Sequence, residues 1–495
     1  MTTIAIDLGT TNSAVAFLND NDVELIETSS GQVLMPSVVA IDSENKITVG
    51  HQALRKLKRE RNPEFVFSNI KRHIGLPYRE GEDYGSQITN VDGEQYFVGP
   101  NERVYSPTEL SAEILKALKA AAEKRLGKKV KRAVLTVPAG WDNNRVLATK
   151  EAGLMAGFKD IITKPEPEMA ALAFGMLRVK MERLFIYDLG GGTFDAAIGT
   201  AARGSVTMDD NLGEELGGSD FDKAVWRYLA KAYQQDEGKD LNAQQIAQIK
   251  LMPIIEDAKR ELSDAEKSVI EAVGIYVDYE SGGTRDIKYD LTREKFDELT
   301  QHLVDSTITI TKRLLERNDK TVREFDQVLL VGGMTRVPAV RAAIEGLFGS
   351  KRIRDRENPD LAVVKGAAIA AAQEDGTLPG GYNFSSVTSS AFGLEDRYGD
   401  FVVALPRGAS PTDVRELVIT TKDDGQATIP IAILQGEPGA KATECARLAR
   451  YEHRVEPGPA RKPRVAVQFM VDDSGQVLVT GQDRQTKQTF TIREP

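Results

Sequence analysis

Two stretches of the chain repeat one pattern of apolar and polar positions. An apolar start leads into Asp7-Leu8-Gly9-Thr10-Thr11-Asn12-Ser13, and Ala14-Val15-Ala16-Phe17 follows. A second apolar run leads into Asp188-Leu189-Gly190-Gly191-Gly192-Thr193-Phe194-Asp195, and Ala196-Ala197-Ile198 follows. An apolar strand, a glycine-containing turn and a second apolar stretch predict a β-hairpin with Gly, Thr and Asp at its tip. Two copies predict two similar lobes facing one another, and the short-period repeats of solenoids are absent.

Between the copies, Ser106-Pro107-Thr108-Glu109 is a capping box with proline at the first helical position. It opens a helix with Leu110, Ile114, Leu118 and Ala122 on one face, stopping near Gly127. Arg132 to Pro138 reads as a buried strand, Ser219-Asp220-Phe221-Asp222 opens a helix through Tyr233, and Phe325 to Val331 reads as a strand ending at Gly332-Gly333. Mixed strands and helices through residue ~375 predict an α/β region. The segment Gly376-Thr377-Leu378-Pro379-Gly380-Gly381 reads as a flexible boundary. Beyond it, short alternating runs such as Thr428 to Leu434 and Arg464 to Phe469 predict a β-rich region, with the basic interval Lys441 to Arg464 as a solvated loop.

Composition narrows this picture. A chain of 495 residues exceeds what one core usually organises, so at least two domains are expected. A net charge of -10 argues against a general nucleic-acid binder. No apolar run approaches the ~20 residues needed to cross a bilayer. The start Met1 to Asp7 lacks a secretion pattern, so a cytoplasmic protein without membrane partner is expected. Cys445 is alone and forms neither an intrachain disulfide nor a thiolate cluster.

The paired turns suggest phosphate chemistry. A phosphate tail needs closely approaching backbone N–H groups, which glycine permits, and carboxylates that hold the hydration shell of Mg²⁺. One Asp-Leu-Gly-Thr-Thr turn also occurs in structural hairpins; a second copy with three glycines and two flanking aspartates is a stronger signal.

Asp7 to Ser13, Asp188 to Asp195 and Leu330-Val331-Gly332-Gly333-Met334-Thr335-Arg336-Val337-Pro338 resemble the two phosphate signatures and the adenosine signature of the heat shock protein 70 chaperones. Thr136-Val137-Pro138-Ala139, Glu166-Pro167, Leu216 to Asp222 and Asn358-Pro359-Asp360 agree. The resemblance spans about residues 1 to 490. It implies a two-lobed actin-like ATPase domain of duplicated ribonuclease H-like lobes over 1–376, divided near 183/184. A linker over 377–386 and a C-terminal β-sandwich over 387–495 would follow.

The resemblance also implies roles. Asp7 and Asp188 would hold waters on Mg²⁺; Thr10, Thr11 and Thr193 would bind phosphate oxygens beside Gly9, Asn12, Gly190, Gly191 and Gly192. Lys71 matches the lysine that orients the attacking water and offsets charge on the transferring group, with Asp195 and Glu166 positioning water and metal. Glu256, Lys259, Arg260 and Ser263 fall at i, i+3, i+4 and i+7, one helical face. The resemblance assigns them to purine and ribose, closed by Gly332, Gly333, Arg336 and Asp360. Pro253, just before them, would kink a helix. Leu394, Ile419, Ile429 and Ile431 match an apolar pocket for one aliphatic side chain of an extended peptide, and Arg397 and Lys422 occupy the arch over it. The ligands implied are ATP or ADP with magnesium, and potassium as an accessory ion. The partners implied are unfolded segments, a J-domain co-chaperone and a nucleotide exchange factor, with no nucleic acid.

Several positions depart from the family pattern. Met334 and Leu361 replace a small polar residue and a Glu, the leucine-rich linker is missing, and a sandwich without a helical lid is expected from the last strand, Gln488 to Arg493. Where the family has an arginine after the Val-Pro-Ala segment, Val146 stands, and Arg145 comes one place early; one residue is ~100° around a helix, so Arg145 should point elsewhere. The leading expectation is a weakly hydrolysing ATP-dependent chaperone. The alternative is a nucleotide-controlled protein serving one dedicated partner, and a small-molecule kinase leaves the β-module unexplained.

Overall fold

A computed structural model gives the fold. It describes all residues except 1, 21, 29–30, 60–64, 83, 85–86, 176–179, 203–204, 279–282, 355–357, 379–382, 386–387, 389, 411–412, 472–476 and 492–495. Parts of the expected linker, the first residue of the expected sandwich and the end of the last strand therefore lie outside the described residues.

Two mixed sheets are built on one plan. The first runs Asp160–Pro165, Arg132–Val137, Ile4–Asp7, Asn12–Asn19, Asp22–Leu25 in spatial order. The second runs Ile353–Arg354, Gln327–Val331, Glu182–Leu189, Phe194–Ala202, Ser205–Glu214, Asn383–Ser385. In each, the signature hairpin is antiparallel (Ala5 opposite Ala16; Asp188 opposite Asp195), and its first strand pairs in parallel with a later strand (Ile4 with Ala133; Leu184 with Gln327). The central strands are buried and almost wholly apolar, as parallel strands covered on both faces require. The sequence echo is thus a duplicated topology.

Covering helices follow from local signals. Pro107–Leu126 starts at the Ser106/Glu109 capping box, and Gly127 ends it in the left-handed region at φ 66°. Pro253 stands inside the helix Gln245–Glu261 without ending it. No helix among the described residues is long and apolar enough to cross a membrane.

The lobes exchange helices. Glu166–Gly175 leaves the first sheet yet packs on strands of the second, whereas Ala362–Glu374 leaves the second and packs on Ile4–Asp7, Asn12–Asn19 and Arg132–Val137. The last strand of the first sheet ends at Pro165 and the first of the second begins at Glu182, so the expected division near 183/184 falls inside a strand, and the helices cross it. The two helices meet where a Cβ on Gly366 would fall 1.7 Å from the Met169 carbonyl oxygen, so only glycine fits there.

Beyond residue 390 two four-stranded antiparallel sheets pack face to face. One runs Phe401–Leu405, Ala391–Glu395, Thr428–Gly436, Ala446–Arg454; the other Val414–Thr420, Pro463–Val471, Val477–Asp483, Thr489–Thr491. Ile431, Ile433, Val465, Val467 and Phe469 fill the space between them. The basic interval is not simply a loop. Ala446–Arg454 is a strand in which Leu448, Ala449 and His453 are buried while Arg447, Arg450 and Arg454 face solvent. The segment Asn383–Ser385, ahead of the sandwich, adds a parallel edge strand to the second lobe beside Ser205–Thr207.

Candidate active site

The two hairpin tips face each other across the lobes. A Cβ on Gly191 would lie 2.1 Å from Thr11 Oγ1, and one on Gly192 2.6 Å from Thr10 Oγ1. Each turn is held from within its own lobe. Ser37 Oγ donates to the Gly9 carbonyl at 2.7 Å, and Gly190 N donates to the Thr193 carbonyl at 3.0 Å. Gly217 and Gly218 lie alongside: Ser219 Oγ donates to the Gly191 carbonyl at 2.8 Å, and a Cβ on Gly217 would meet Gly192 N at 2.5 Å. The result is a cradle of close backbone and hydroxyl groups from both lobes, with Asn12 opening the strand behind the first tip.

Carboxylates collect behind the cradle. Asp7 accepts from Thr136 Oγ1 at 2.8 Å, and Asp195 accepts from Gly140 N at 3.3 Å. Lys71 Nζ sits 2.5 Å from Glu166 Oε1, both buried. Burial first, and then repulsion from Glu166, pushes Asp7 up to about 6 and Asp195 up to about 7, and raises Asp188 as well. Lys71 is the cation that opposes this shift at all three. A group of buried carboxylates with so little countercharge fits a cation nearby. Among the described residues no three His, Cys, Asp or Glu side chains form a group that could hold a metal ion.

These shifts have a consequence for stability. A carboxyl held above its unfolded value keeps its proton in the folded state while the unfolded chain has lost it. Its contribution is present below ~3.9 and is lost as pH rises through the folded value. The ligand-free protein should therefore lose stability from this cluster between about pH 4 and pH 7. Asp195→Asn should flatten that slope in a thermal-unfolding series; an unchanged slope would contradict the assigned shift.

The expected adenosine residues are divided. Gly218 connects them to the cradle: a Cβ there would meet Lys259 Nζ at 3.0 Å and Met334 Sδ at 3.1 Å. Lys259 is buried and turned to Asp222 Oδ1 at 2.8 Å and the Gly218 carbonyl at 3.2 Å. Asp222, raised to about 6 by burial against the pull of Lys259, is a partner that helical spacing could not reveal. Arg260 donates to Glu256 Oε1 at 2.6 Å. The helix ends at Glu261, so Ser263 comes from the turn beyond it. Farther along the chain, Arg336 donates to Asp360 Oδ2 at 2.9 Å and Asn358 Oδ1 at 2.8 Å. Gly332, at φ 79°, takes a conformation suited to glycine. A Cβ on it would lie 2.2 Å from the Leu189 carbonyl, and one on Gly333 2.8 Å from Asp360 Oδ1.

In the sandwich, Leu394, Ile429 and Ile431 are buried in one cluster, with Ile419 packed against it half-buried. Arg397 and Lys422 are exposed in the turns after Ala391–Glu395 and Val414–Thr420, and the Arg397 guanidinium lies over the Tyr398 ring at 4.5 Å.

The sandwich touches the two-lobed region. Arg407 Nε lies 3.4 Å from Asp210 Oδ1, and Asp210 also accepts from Arg317 Nε at 2.7 Å and Asn318 Nδ2 at 2.7 Å. Asn143 N donates to Gln435 Oε1 at 3.3 Å. Among comparisons with known proteins, the family model described as Hsp70 protein matches residues 3–495.

Proposed function

Because this chain belongs to the Hsp70 family of ATP-dependent chaperones, we propose that it binds and slowly hydrolyses ATP between its lobes and holds extended apolar segments in its β-sandwich. The observation that carries this reading is the facing of Thr10 and Thr11 onto Gly192 and Gly191. A triphosphate tail needs donors on both sides, and the paired tips offer them within one cleft.

The residues have separate tasks. Gly9, Thr10, Thr11, Asn12, Gly190, Gly191, Gly192 and Thr193 hold the phosphates. Glu256, Arg260, Ser263 and Arg336 line the base and ribose side, with Lys259, Asp360, Gly332 and Gly333 fixing its walls. Asp7 and Asp188 hold the waters of a divalent ion, proposed as magnesium with potassium accessory; the ion supplies charge that offsets the phosphate oxygens. Lys71 orients the attacking water and offsets charge on the transferring phosphoryl group, and Asp195 and Glu166 align that water. The proposed limits are 1–376 for the ATPase domain, 377–386 for the connection and 387–495 for the sandwich.

Leu394, Ile419, Ile429 and Ile431 would take an aliphatic side chain of a client. The positive charge of Arg397 and Lys422 would favour acidic or more polar flanks. Coupling between the two ligands is supported by the edge strand Asn383–Ser385 and by the Arg407–Asp210 and Asn143–Gln435 contacts. A second reading, one dedicated partner in place of many clients, is favoured by the exposed Arg397–Tyr398 pair. A single stoichiometric partner in pull-downs, with no suppression of aggregation, would select it. J-domain and exchange-factor partners remain proposals of the same family reading, as does the cytoplasm.

Turnover with and without an apolar peptide, and peptide anisotropy in ATP and in ADP, test the main reading. Expected are weak turnover raised by peptide and affinities that differ by at least about 5-fold, a coupling of ~1 kcal/mol. Identical affinities would remove the coupling, and absent turnover would remove the enzyme.

A further inference from the structure

Arg145 was expected to point away from the site, and it does not. Its side chain is buried beside the segment that carries Lys71. Nε donates to the Ile74 carbonyl at 3.3 Å, and Nη2 donates to the Lys71 carbonyl at 3.2 Å and the Arg72 carbonyl at 3.4 Å. Nη1 pairs with Glu215. The guanidinium lies 3.9 Å from the centre of the Trp141 ring, and Lys71 Nζ lies over the same ring at 5.3 Å. Trp141 Nε1 donates to Glu215 Oε1 at 3.3 Å, so Glu215 ties ring and guanidinium together.

The segment that Arg145 grips needs outside support. Ile70–Arg72 is a single 3-10 turn, too short to satisfy its own carbonyls. Asn69 before it has φ 56°, and Gly75 after it has φ 67°. A Cβ on Gly75 would fall 2.7 Å from Arg145 Cα, so the segment lies hard against the start of the helix Asn143–Met155. That helix start is itself set by Asp142, which accepts from Arg145 N at 3.1 Å. A planar guanidinium with several fixed donors can hold three carbonyls at once, which a lysine ammonium on a flexible stem cannot do in the same geometry.

The geometry points to Arg145 as a positioning residue for Lys71, setting the lysine's main chain from below and its ammonium through the shared Trp141 ring. The inference rests on the reading of Lys71 as the group that offsets phosphoryl charge. The Arg145 side chain hydrogen-bonds neither Glu166 nor Asp7, Asp188 or Asp195. Its effect should appear in the chemical step and not in nucleotide binding.

The test uses the full chain with Arg145→Lys, which keeps the charge, and Arg145→Gln, which does not. Single-turnover ATP hydrolysis and ATP affinity are measured on each, beside Lys71→Ala. Displacing a catalytic group by about 1 Å can lower a rate by ~100-fold, so Arg145→Lys should slow hydrolysis about tenfold or more while affinity stays within about threefold. In a Trp226→Phe background, Trp141 emission should also shift in Arg145→Lys. If Arg145→Gln does not fold, Arg145→Lys decides alone. A soluble Arg145→Lys with the original rate, beside an inactive Lys71→Ala, overturns this inference and leaves the function reading standing. Equal losses of rate and affinity overturn it too, because they mark general damage to the cleft. Normal turnover by Lys71→Ala instead overturns the reading of Lys71, and the Arg145 role falls with it.

Discussion

Replacing Lys71 with alanine should lower ATP hydrolysis by about 100-fold or more, roughly 3 kcal/mol of transition-state stabilisation, while ATP remains bound. The lysine is buried, and its ammonium is the cation opposing the repulsion among Asp7, Asp188, Asp195 and Glu166. On the proposed reading binding is spread over both hairpins and the adenosine side, so the nucleotide should keep most of its contacts when one side chain goes. On the proposed reading hydrolysis has no such reserve, because charge would develop on the phosphoryl group beside this cation. Single-turnover rates and nucleotide release, measured on protein with an unchanged unfolding transition, separate the two effects. Turnover at the original rate would remove Lys71 from the chemistry.

The second large effect concerns binding. Gly191→Ala should weaken ATP binding by about 10- to 100-fold, the equivalent of ~1–3 kcal/mol of overpacking. The new methyl would fall 2.1 Å from Thr11 Oγ1, so the lobes must part or the threonine must turn away. Either response moves a phosphate donor. Adding Thr11→Ala should recover part of the lobe closure but not the lost hydroxyl contact, so the double variant should remain weaker than the original protein. Undiminished affinity in Gly191→Ala would mean that the tips do not meet across the bound nucleotide.

What could be read before the structure was local. The hairpins were legible because a strand, a glycine turn and a second strand form one contiguous pattern, and the Ser106 to Gly127 helix because its caps are local hydrogen bonds. The exchange of Glu166–Gly175 and Ala362–Glu374 between lobes was not legible. It depends on Gly366 meeting Met169, a contact between residues nearly two hundred apart. Helical spacing puts Glu256, Lys259, Arg260 and Ser263 on one face, but spacing names neither where the helix ends, at Glu261, nor what lies opposite, which for Lys259 is Asp222. The same limit applied to Arg145. A rotation of ~100° describes its direction about its own helix, whereas the Lys71 segment and Trp141 decide what it meets. The strand Ala446–Arg454 is hidden because its arginines dominate the charge count, although their backbone pairs with Thr428–Gly436 as fully as that of buried Ala449 and His453.

Calorimetric titration of the purified full chain with ATP and magnesium tests most directly whether two opposed tips grip one nucleotide. The account predicts a single saturable site per chain whose affinity falls in Gly191→Ala. No heat at millimolar ATP, on protein that unfolds cooperatively, would contradict it.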